Sequence, residues 1–561
     1  MEVRITRTCK TIFAGLIAAT LFGSPAYAKR GSGADMLNRY VEARLAESTK
    51  KPEAAAVIYA ETLKASPDNA LLAGKAYVKA IEAGDFALAL RAVRTLELQN
   101  ALNVEMPLLL FADGFARRDY KSAQLASIQL ESLDNFSFMS PLLEAWLSTA
   151  IKQSPLSDLA KAKKNKTSAY YHEEQLILHA LSRGHEAEIM QLINAMVDRN
   201  EARMAPVRIL VARHFLAQKN MKQAAQILEQ KRTGPEAKML REILAGNGKK
   251  LAQKVTPQVG LGFLLQRLAS DLGAQRAYFL GLVGAQTAYR IFPDSDYGQL
   301  ILGEAYAQAG NNGAARAEFE KIPSDSAYAL LANSMEVARF VEDKEFSQAQ
   351  DRLGKVIDKR PNTPELHALS GQLLQASGDY SAAAQAYKKA IALAEKSDFS
   401  DALLANYWLS LGSAQERGGQ WPAGLSSLKK ADALRPNSAS ILNYLGYAQL
   451  ERRENTEEAI SAIRKAHKLR SSSPAITDSL GWAYYVTGEH EKAVGYLERA
   501  RVGQPQDPTI NEHLGDAYWS VGRKYEARYA WKSAKLFADA EDMGRLTKKI
   551  DLGLQADLVS P

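Results

Sequence analysis

A motif near the end of the chain recurs at a fixed spacing, and this repetition constrains the fold more than any other feature. The first copy begins with Leu480-Gly481 and continues with an aromatic residue, a glycine, small or aliphatic residues and a proline, at Tyr484, Gly488, Ala493, Leu497, Ala500 and Pro505. The second copy begins with Leu514-Gly515 and continues with Tyr518, Gly522, Ala527, Trp531 and Ala534. Self-similarity at a fixed period of this length predicts a stack of similar supersecondary units.

The residue types predict that each unit is a pair of antiparallel helices. The small residue after leucine lets the two helices approach closely, and the later alanines keep the second helix near the first. The glycine between the helices suits the left-handed backbone of a tight turn. One such pair cannot cover its own apolar face, so the units must stack. The sequence therefore predicts an all-α fold.

The same register persists toward the N-terminus. The small-residue position of Gly515 recurs at Gly481, Gly446, Gly412, Gly371, Val337, Gly303 and Ala269. The successive spacings along the chain are 34, 35, 34, 41, 34, 34 and 34. The two insertions fall at residues 454–456 and 394–400, which are predicted helix ends where extra residues reach solvent. The N-terminal half keeps the rhythm with poorer agreement and is interpreted as degenerate repeats.

These residues resemble the tetratricopeptide repeat (TPR) family. The resemblance implies a right-handed α-solenoid of stacked antiparallel helix pairs. We expect degenerate repeats at residues 29–256, a regular array at 257–540, and a capping helix with a loose tail at 541–561. The boundary follows from residues 246–257, where Gly, Lys and Pro replace the apolar spacing.

Residues 1–28 have the pattern of a cleaved secretory signal peptide. Arg4, Arg7 and Lys10 precede an uncharged stretch at residues 11–22, and Ala26-Tyr27-Ala28 supplies the small residues of a cleavage site. We expect cleavage after Ala28. The uncharged stretch is too short to cross a bilayer as a helix, which needs about 20 residues, and no later segment is predicted to do so.

The only cysteine, Cys9, lies before the apolar stretch of the leader. It is therefore not placed for acylation, which argues against an outer-membrane lipoprotein. Cleavage would remove it and leave no thiol for a disulfide or a metal site, which suits an oxidising compartment.

Motifs of catalysis and metal binding are absent from the sequence. None of the eight histidines forms the two-histidine helical metal motif, and lone histidines on such helices are expected at the surface or at helix caps. A loop that superficially resembles a phosphate loop has Lys250 where Ser or Thr should bind magnesium. The sequence therefore predicts no enzyme, no cofactor and no metal. A formal net charge of +8 over 561 residues is too small to predict a nucleic-acid partner.

Large residues that the repeat does not require lie on the predicted concave face. They occupy the first helices of the last three repeats and combine aromatic rings with polar or acidic groups, at Asn443, Tyr447, Asp478, Trp482, Tyr485, Glu512, Asp516 and Trp519. Such residues anchor partner segments through apolar burial and charge-assisted hydrogen bonds. The alternative is that the rings only add to packing between repeats. The acids predict a surface that repels a free carboxylate.

Three segments are similar to long cell-envelope TPR proteins of Gram-negative bacteria, namely residues 444–447, 478–485 and 511–519. The resemblance covers residues 257–540. It implies a periplasmic, non-catalytic scaffold that binds envelope proteins, with the presentation of cell-wall hydrolases to a carboxyl-terminal processing protease as one expected role. A scaffold for outer-membrane assembly or polysaccharide export is an alternative. An enzyme with an unrecognised site in the N-terminal half is another.

Overall fold

The computed structural model describes residues 32–49, 51–133, 136–198, 202–229, 234–396 and 399–560. The predicted leader lies outside these ranges. Throughout the described part the chain forms helices and no strands, which confirms the predicted all-α helical repeat fold. None of the described helices combines the length and the apolar character that a membrane span needs.

Contacts divide the chain into two compact units, which meet in sequence between Tyr328 and Ala329. The helices of the first unit are α1 (Ser32–Ser48), α2 (Pro52–Ala65), α3 (Ala70–Ala83), α4 (Phe86–Leu98), α5 (Met106–Ala116), α6 (Tyr120–Glu131), α7 (Ser140–Ala150), α8 (Leu156–Lys164), α9 (Lys166–Arg183), α10 (Met190–Asp198), α11 (Ala205–Ala217), α12 (Met221–Leu228), α13 (Gly234–Glu242), α14 (Gly248–Leu251), α15 (Pro257–Ala274), α16 (Tyr278–Ile291), α17 (Asp296–Gln308) and α18 (Asn312–Glu320). A π-helical turn, Ile243–Asn247, joins α13 to α14.

The second unit continues the helix pairs to the end of the described chain. Its helices are α19 (Ala329–Glu342), α20 (Phe346–Lys359), α21 (Pro364–Ala376), α22 (Tyr380–Ala394), α23 (Asp401–Arg417), α24 (Trp421–Leu434), α25 (Ala439–Glu451), α26 (Thr456–Leu469), α27 (Pro474–Val486), α28 (His490–Gly503), α29 (Pro508–Ser520), α30 (Lys524–Phe537) and α31 (Met543–Leu552). A short 3₁₀ turn, Ala556–Leu558, follows α31.

The glycine after leucine is where the two helices of a repeat meet. A Cβ atom at Gly515 of α29 would lie 2.3 Å from Nε1 of Trp531 on α30. A Cβ atom at Gly481 of α27 would lie 2.7 Å from Cγ of Leu497 on α28. These separations are far shorter than van der Waals contact, so only glycine permits the observed approach. The close helix contact predicted from the repeat is confirmed at these positions.

The turn inside each repeat requires left-handed backbone. Gly488 and Gly522 have φ angles of +81° and +83°. In the repeat that contains the one-residue insertion, Arg453 occupies the equivalent position with φ +54°, and Asn455 adds a second left-handed residue with φ +47°. The extra residue is thus accommodated in the turn and leaves both helices intact.

The first unit departs from a simple linear stack, in which a repeat contacts only its neighbours. Helix α16 packs against α5 and α3, and α15 packs against α7 and α9. Nε2 of Gln286 donates a hydrogen bond to the carbonyl oxygen of Ile81 at 2.5 Å. At Gly260 a Cβ atom would lie 1.9 Å from the ring of Trp146, so the absence of a side chain makes room for that indole.

By their contacts, helices α15 to α18 therefore belong to the same compact unit as the N-terminal repeats. The boundary predicted between residues 256 and 257 separates degenerate from regular sequence, whereas the contacts divide the chain only after Tyr328. The register of the small residues continues across that division, because Val337 of α19 follows Gly303 at the regular spacing. A common repeat pattern in sequence thus spans two compact units.

Gly515→Ala should destabilise the second unit, although alanine is the better helix former. The added methyl group would displace the Trp531 indole, and overpacking of this kind costs about 1 to 3 kcal/mol. The matched control is Gly495→Ala in α28, where a Cβ atom meets nothing within 4 Å and the change should stabilise by up to about 1 kcal/mol. Denaturant unfolding of both variants measures the difference. Equal stabilities of the two variants would contradict the close approach of α29 and α30 at Gly515.

Candidate partner-binding groove

The eight predicted binding residues lie on three first helices, α25, α27 and α29, which pack side by side. We call the surface formed by these eight side chains the C-terminal groove. Its members are Asn443 and Tyr447 on α25, Asp478, Trp482 and Tyr485 on α27, and Glu512, Asp516 and Trp519 on α29.

Trp482 is the centre of an aromatic stack in the C-terminal groove. Its ring lies 4.6 Å from that of Tyr485 and 4.1 Å from that of His513, and both contacts are stacked. Only 2% of Trp482 is exposed. Tyr447 and Tyr485 are half-buried and pack against the same apolar cluster. For Trp482, packing between repeats is therefore what the structure shows.

The carboxylates of Glu512 and Asp516 are paired with cations from α31. Arg545 donates two hydrogen bonds to Glu512, at 2.8 and 2.9 Å. Nζ of Lys549 lies 2.6 Å from Oε1 of Glu512 and 2.8 Å from both carboxylate oxygens of Asp516. Lys549 has no exposed surface. The expectation of an acidic, carboxylate-repelling patch is thus corrected, because two cations outside the repeat pattern compensate the two acids.

Asp478 forms an ion pair with a buried histidine. Nδ1 of His513 lies 3.0 and 3.1 Å from the two carboxylate oxygens of Asp478, and His513 is 1% exposed. The expectation that lone histidines lie at the surface or at helix caps is wrong here, since this ring is buried against Trp482. Nothing in the sequence pattern indicates the pair, because the partner carboxylate lies 35 positions away on the preceding repeat.

The charges around this site shift several pKa values. Burial alone would lower the pKa of His513, but Asp478, followed by Asp516 and Glu512, raises it above 6.5. Burial would raise the pKa of Glu512, but hydrogen bonds from Arg545 and the charge of Lys549 lower it to about 2. Burial raises the pKa of Asp516, although Lys549 opposes the shift. At neutral pH, Glu512 is therefore held as a carboxylate.

Asp516 links the groove to the segment that follows α31. Its Oδ1 accepts a hydrogen bond from Nε1 of Trp531 at 2.8 Å. Its Oδ2 accepts one from the backbone N–H of Ser560 at 2.9 Å. Nζ of Lys549 also donates to Oγ of Ser560 at 3.3 Å. One buried carboxylate therefore joins α29, α30, α31 and the following segment.

Residues 553–560, which we call the C-terminal segment, cover part of the groove. Val559 packs against the cluster that contains Trp482, and Leu558 is buried. Gly553 has φ +86°, and a Cβ atom there would lie 2.2 Å from the ring of Trp519. The predicted loose tail is thus corrected for these residues. Leu558 is buried and Val559 packs on apolar surface, and the repeat pattern alone predicts neither contact.

Of the other predicted residues, Trp519 and Tyr447 lie at the edges of these clusters. Trp519 is half-buried, with its ring 5.5 Å from that of Trp531. Burial, and then the neighbouring Glu451, raise the pKa of Tyr447 well above its ordinary value. Asn443 is half-buried, and its Oδ1 is buried without a hydrogen-bond partner. The structure brings seven of the eight residues to the buried clusters, and their role in binding a partner stays a prediction.

The residues that sequence reasoning missed are His513, Arg545, Lys549 and the C-terminal segment. A weak signal exists for the two cations, since Arg545 and Lys549 are four residues apart and flank the apolar residue Leu546 on one helix face. Within the described ranges, no three His, Cys, Asp or Glu side chains are grouped as a metal site requires. The described residues of the groove form ion pairs, aromatic stacking contacts and a hydrogen bond to a backbone N–H.

Comparison with protein families identifies the helix pairs of the second unit. The tetratricopeptide repeat model matches residues 338–398, 409–474 and 479–541, and these matches include α25, α26, α28, α29, α30 and most of α27. The resemblance inferred from the Leu-Gly motif is confirmed over these ranges. No curated protein matches the chain at a significant level.

Three solved structures are similar to part of the chain. A thermophilic TPR protein from Thermus thermophilus is 22% identical, with a TM-score of 0.30, and the alignment covers 34% of this chain and all of that one. PilF from Pseudomonas aeruginosa is 16% identical, with a TM-score of 0.31 and coverage of 39% and 97%. A tetratricopeptide repeat protein from Parabacteroides merdae is 10% identical, with a TM-score of 0.37 and coverage of 45% and 96%.

Lys549→Met should destabilise the second unit strongly. The change leaves the buried Asp516 carboxylate without its cation, and breaking a buried ion pair from one side costs about 3 to 5 kcal/mol. Lys548→Met is the matched control, because Lys548 is exposed on the same helix and should change stability by less than about 0.5 kcal/mol. Chemical denaturation of both variants gives the comparison. Similar stabilities would show that Lys549 is not buried between the acids.

The ion pair of His513 should make stability depend on pH. Because its pKa is raised by folding from the ordinary 6.5, the folded state holds the proton more tightly. The stabilisation is complete below about pH 6.5 and is lost as the pH rises through the folded pKa. Asp478→Asn removes the principal cause of that shift.

The loss of Tm in Asp478→Asn should therefore be largest at about pH 6 and should shrink as the pH is raised. The other carboxylates that face His513, which are Glu451, Glu512 and Asp516, remain in both proteins. Thermal unfolding of wild type and variant across this range measures the effect. A loss of Tm that is independent of pH would contradict the assigned protonation.

Proposed function

We propose that this TPR chain is a non-catalytic periplasmic scaffold that binds other cell-envelope proteins and presents cell-wall hydrolases to a carboxyl-terminal processing protease. The observation that carries the proposal is the run of three matches to the tetratricopeptide repeat model in the second unit. Stacked repeats of this kind expose continuous surfaces that bind protein partners. The general role of a protein-interaction scaffold follows from the repeats themselves.

The more specific part of the proposal rests on sequence patterns. The signal-peptide pattern at residues 1–28 supports export, and Cys9 is not placed for lipid attachment. The half-buried rings of Tyr447, Tyr485 and Trp519 on α25, α27 and α29 support a partner surface in the second unit. Cell fractionation with N-terminal sequencing should find the chain in the periplasm with Lys29 as its first residue.

Reconstitution tests the proposed role directly. Purified full-length mature chain is added to a carboxyl-terminal processing protease and a cell-wall hydrolase from the same envelope, and the rate of hydrolase cleavage is measured. We expect the chain to accelerate cleavage at least about tenfold, because holding two proteins together replaces a bimolecular encounter with an intramolecular one. Gly515→Ala should reduce the acceleration and Gly495→Ala should not.

The alternatives give different results in the same preparations. Affinity capture from the envelope fraction that recovers outer-membrane assembly or polysaccharide-export proteins, with no acceleration of cleavage, would overturn the protease role. A hydrolytic activity of the purified chain itself would overturn the non-catalytic role.

A further inference from the structure

The C-terminal segment lies on the groove as a bound peptide would. It follows α31, the last α-helix that the structure describes, and the tetratricopeptide match ends at residue 541, so it is not part of a repeat. Yet it contacts side chains from two neighbouring repeats. Val559 packs with the cluster that includes Trp482 of α27, and Ser560 bonds to Asp516 of α29.

The contacts of the segment are concentrated at its two ends. Gly553 is buried against Trp519, and Leu558 and Ser560 are buried at the other end. Between them, residues 555–557 are exposed. The segment is thus held by a few anchors and not by continuous burial, which is the arrangement of a short peptide ligand in a pocketed surface.

The carboxylates beneath the segment have partners outside it. Arg545 and Lys549 compensate Glu512 and Asp516, and His513 pairs with Asp478. Removing the segment would therefore leave Glu512, Asp516 and Asp478 with these partners. It would uncover the surfaces of Trp519 and of the Trp482 cluster that Gly553 and Val559 cover, and it would free Oδ2 of Asp516 from its bond to the Ser560 amide.

This surface fits a ligand of defined chemistry. An aliphatic pair can fill the buried place of Leu558 and the place of Val559 on the cluster that contains Trp482. The next residue must offer a backbone N–H to Asp516 and a small hydroxyl to Lys549, as Ser560 does. Because a backbone amide is the donor, a proline cannot occupy this third place.

We propose that the C-terminal groove is a peptide-binding site, that residues 553–560 occupy it as an internal ligand, and that a protein partner binds by displacing them with a segment of two adjacent aliphatic residues followed by a small hydroxyl residue. The partner half of this inference rests on the proposed scaffold function. The internal-ligand half does not.

Mass action sets the affinity that the site requires. A short flexible tether gives an effective concentration in the millimolar range. For the internal segment to occupy the groove in more than nine molecules of ten, its intrinsic dissociation constant must be below about 100 μM. The same segment supplied as a free peptide should therefore bind an emptied groove with a Kd below about 100 μM and a closed groove at least about tenfold more weakly.

The experiment uses a synthetic peptide of residues 553–560 and two proteins, the full chain and a variant that ends at Leu552. Calorimetry should show saturable binding to the shortened variant and at least about tenfold weaker binding to the full chain. Two control peptides carry single changes. Val559→Asp places a charge on the cluster that contains Trp482. Ser560→Pro removes the N–H that donates a hydrogen bond to Asp516. Both should bind at least about tenfold more weakly than the parent peptide.

A full-length Val559→Asp chain guards against misfolding of the shortened variant. It keeps α31 and the ion pairs, and it should bind the peptide nearly as well as the shortened variant does. If neither the shortened variant nor the Val559→Asp chain shows saturable binding at about 1 mM peptide, well above the Kd that closure requires, the segment is not an internal ligand. Equal binding to the full chain and the shortened variant would overturn the competition.

The partner half has its own readout. If an envelope partner uses this site, the shortened variant should retain it at least about tenfold better than the full chain in the same capture experiment. Equal retention, together with binding of the peptide, would overturn displacement by a partner and would leave the scaffold function standing. Failure of hydrolase cleavage to accelerate would count against the protease role alone.

Discussion

The ammonium group of Lys549, enclosed between Glu512 and Asp516, is the interaction on which the C-terminal part of the structure depends. All three side chains are buried or nearly so, and Nζ lies within 2.8 Å of both carboxylates. Charges removed from water in this way are costly unless their geometry and hydrogen bonding are complete. Here they are complete, because Asp516 also accepts from Trp531 and Ser560. The pairing places α31 on the groove and thereby directs the segment that follows it.

Two different constraints therefore meet on α29. Gly515 lets α30 approach so closely that the Trp531 indole reaches the carboxylate of the next residue, Asp516. That carboxylate also bonds to the cation of α31 and to the C-terminal segment. One hydrogen bond thus joins Trp531, which packs the two helices of the repeat together, to Asp516 of the groove. Substitutions that displace Trp531 should therefore also disturb the groove.

The repeat architecture could be predicted from the sequence because its signals are local. Leu480-Gly481 and the turn glycine Gly488 act within one helix pair, and the structure places both as the motif requires. The ion pairs of the groove could not be predicted in the same way. Lys549 lies on a helix outside the repeat period, and its partners lie 37 and 33 positions away. A charge seen in sequence carries no information about which distant cation will neutralise it.

The first unit shows the same limit. The regular spacing continues through Gly303 and Val337, yet the contacts separate these two residues into different compact units. The cause is side-chain packing over long sequence distances, as between α16 and α3, where Gln286 bonds to the backbone of Ile81. Periodicity predicts which faces of the helices are apolar. It does not predict which helices will cover them.

Residues 553–560 close the groove, and amide hydrogen exchange in the full-length chain measures that closure most directly. The Ser560 N–H is buried against Asp516, and the Leu558 N–H donates to the carbonyl oxygen of Gln555 at 2.9 Å. Both amides should exchange at least about tenfold more slowly than in the free peptide, and Val559→Asp should remove that protection while α29 stays protected. Exchange of both amides at the free-peptide rate in the unaltered chain would contradict a closed groove.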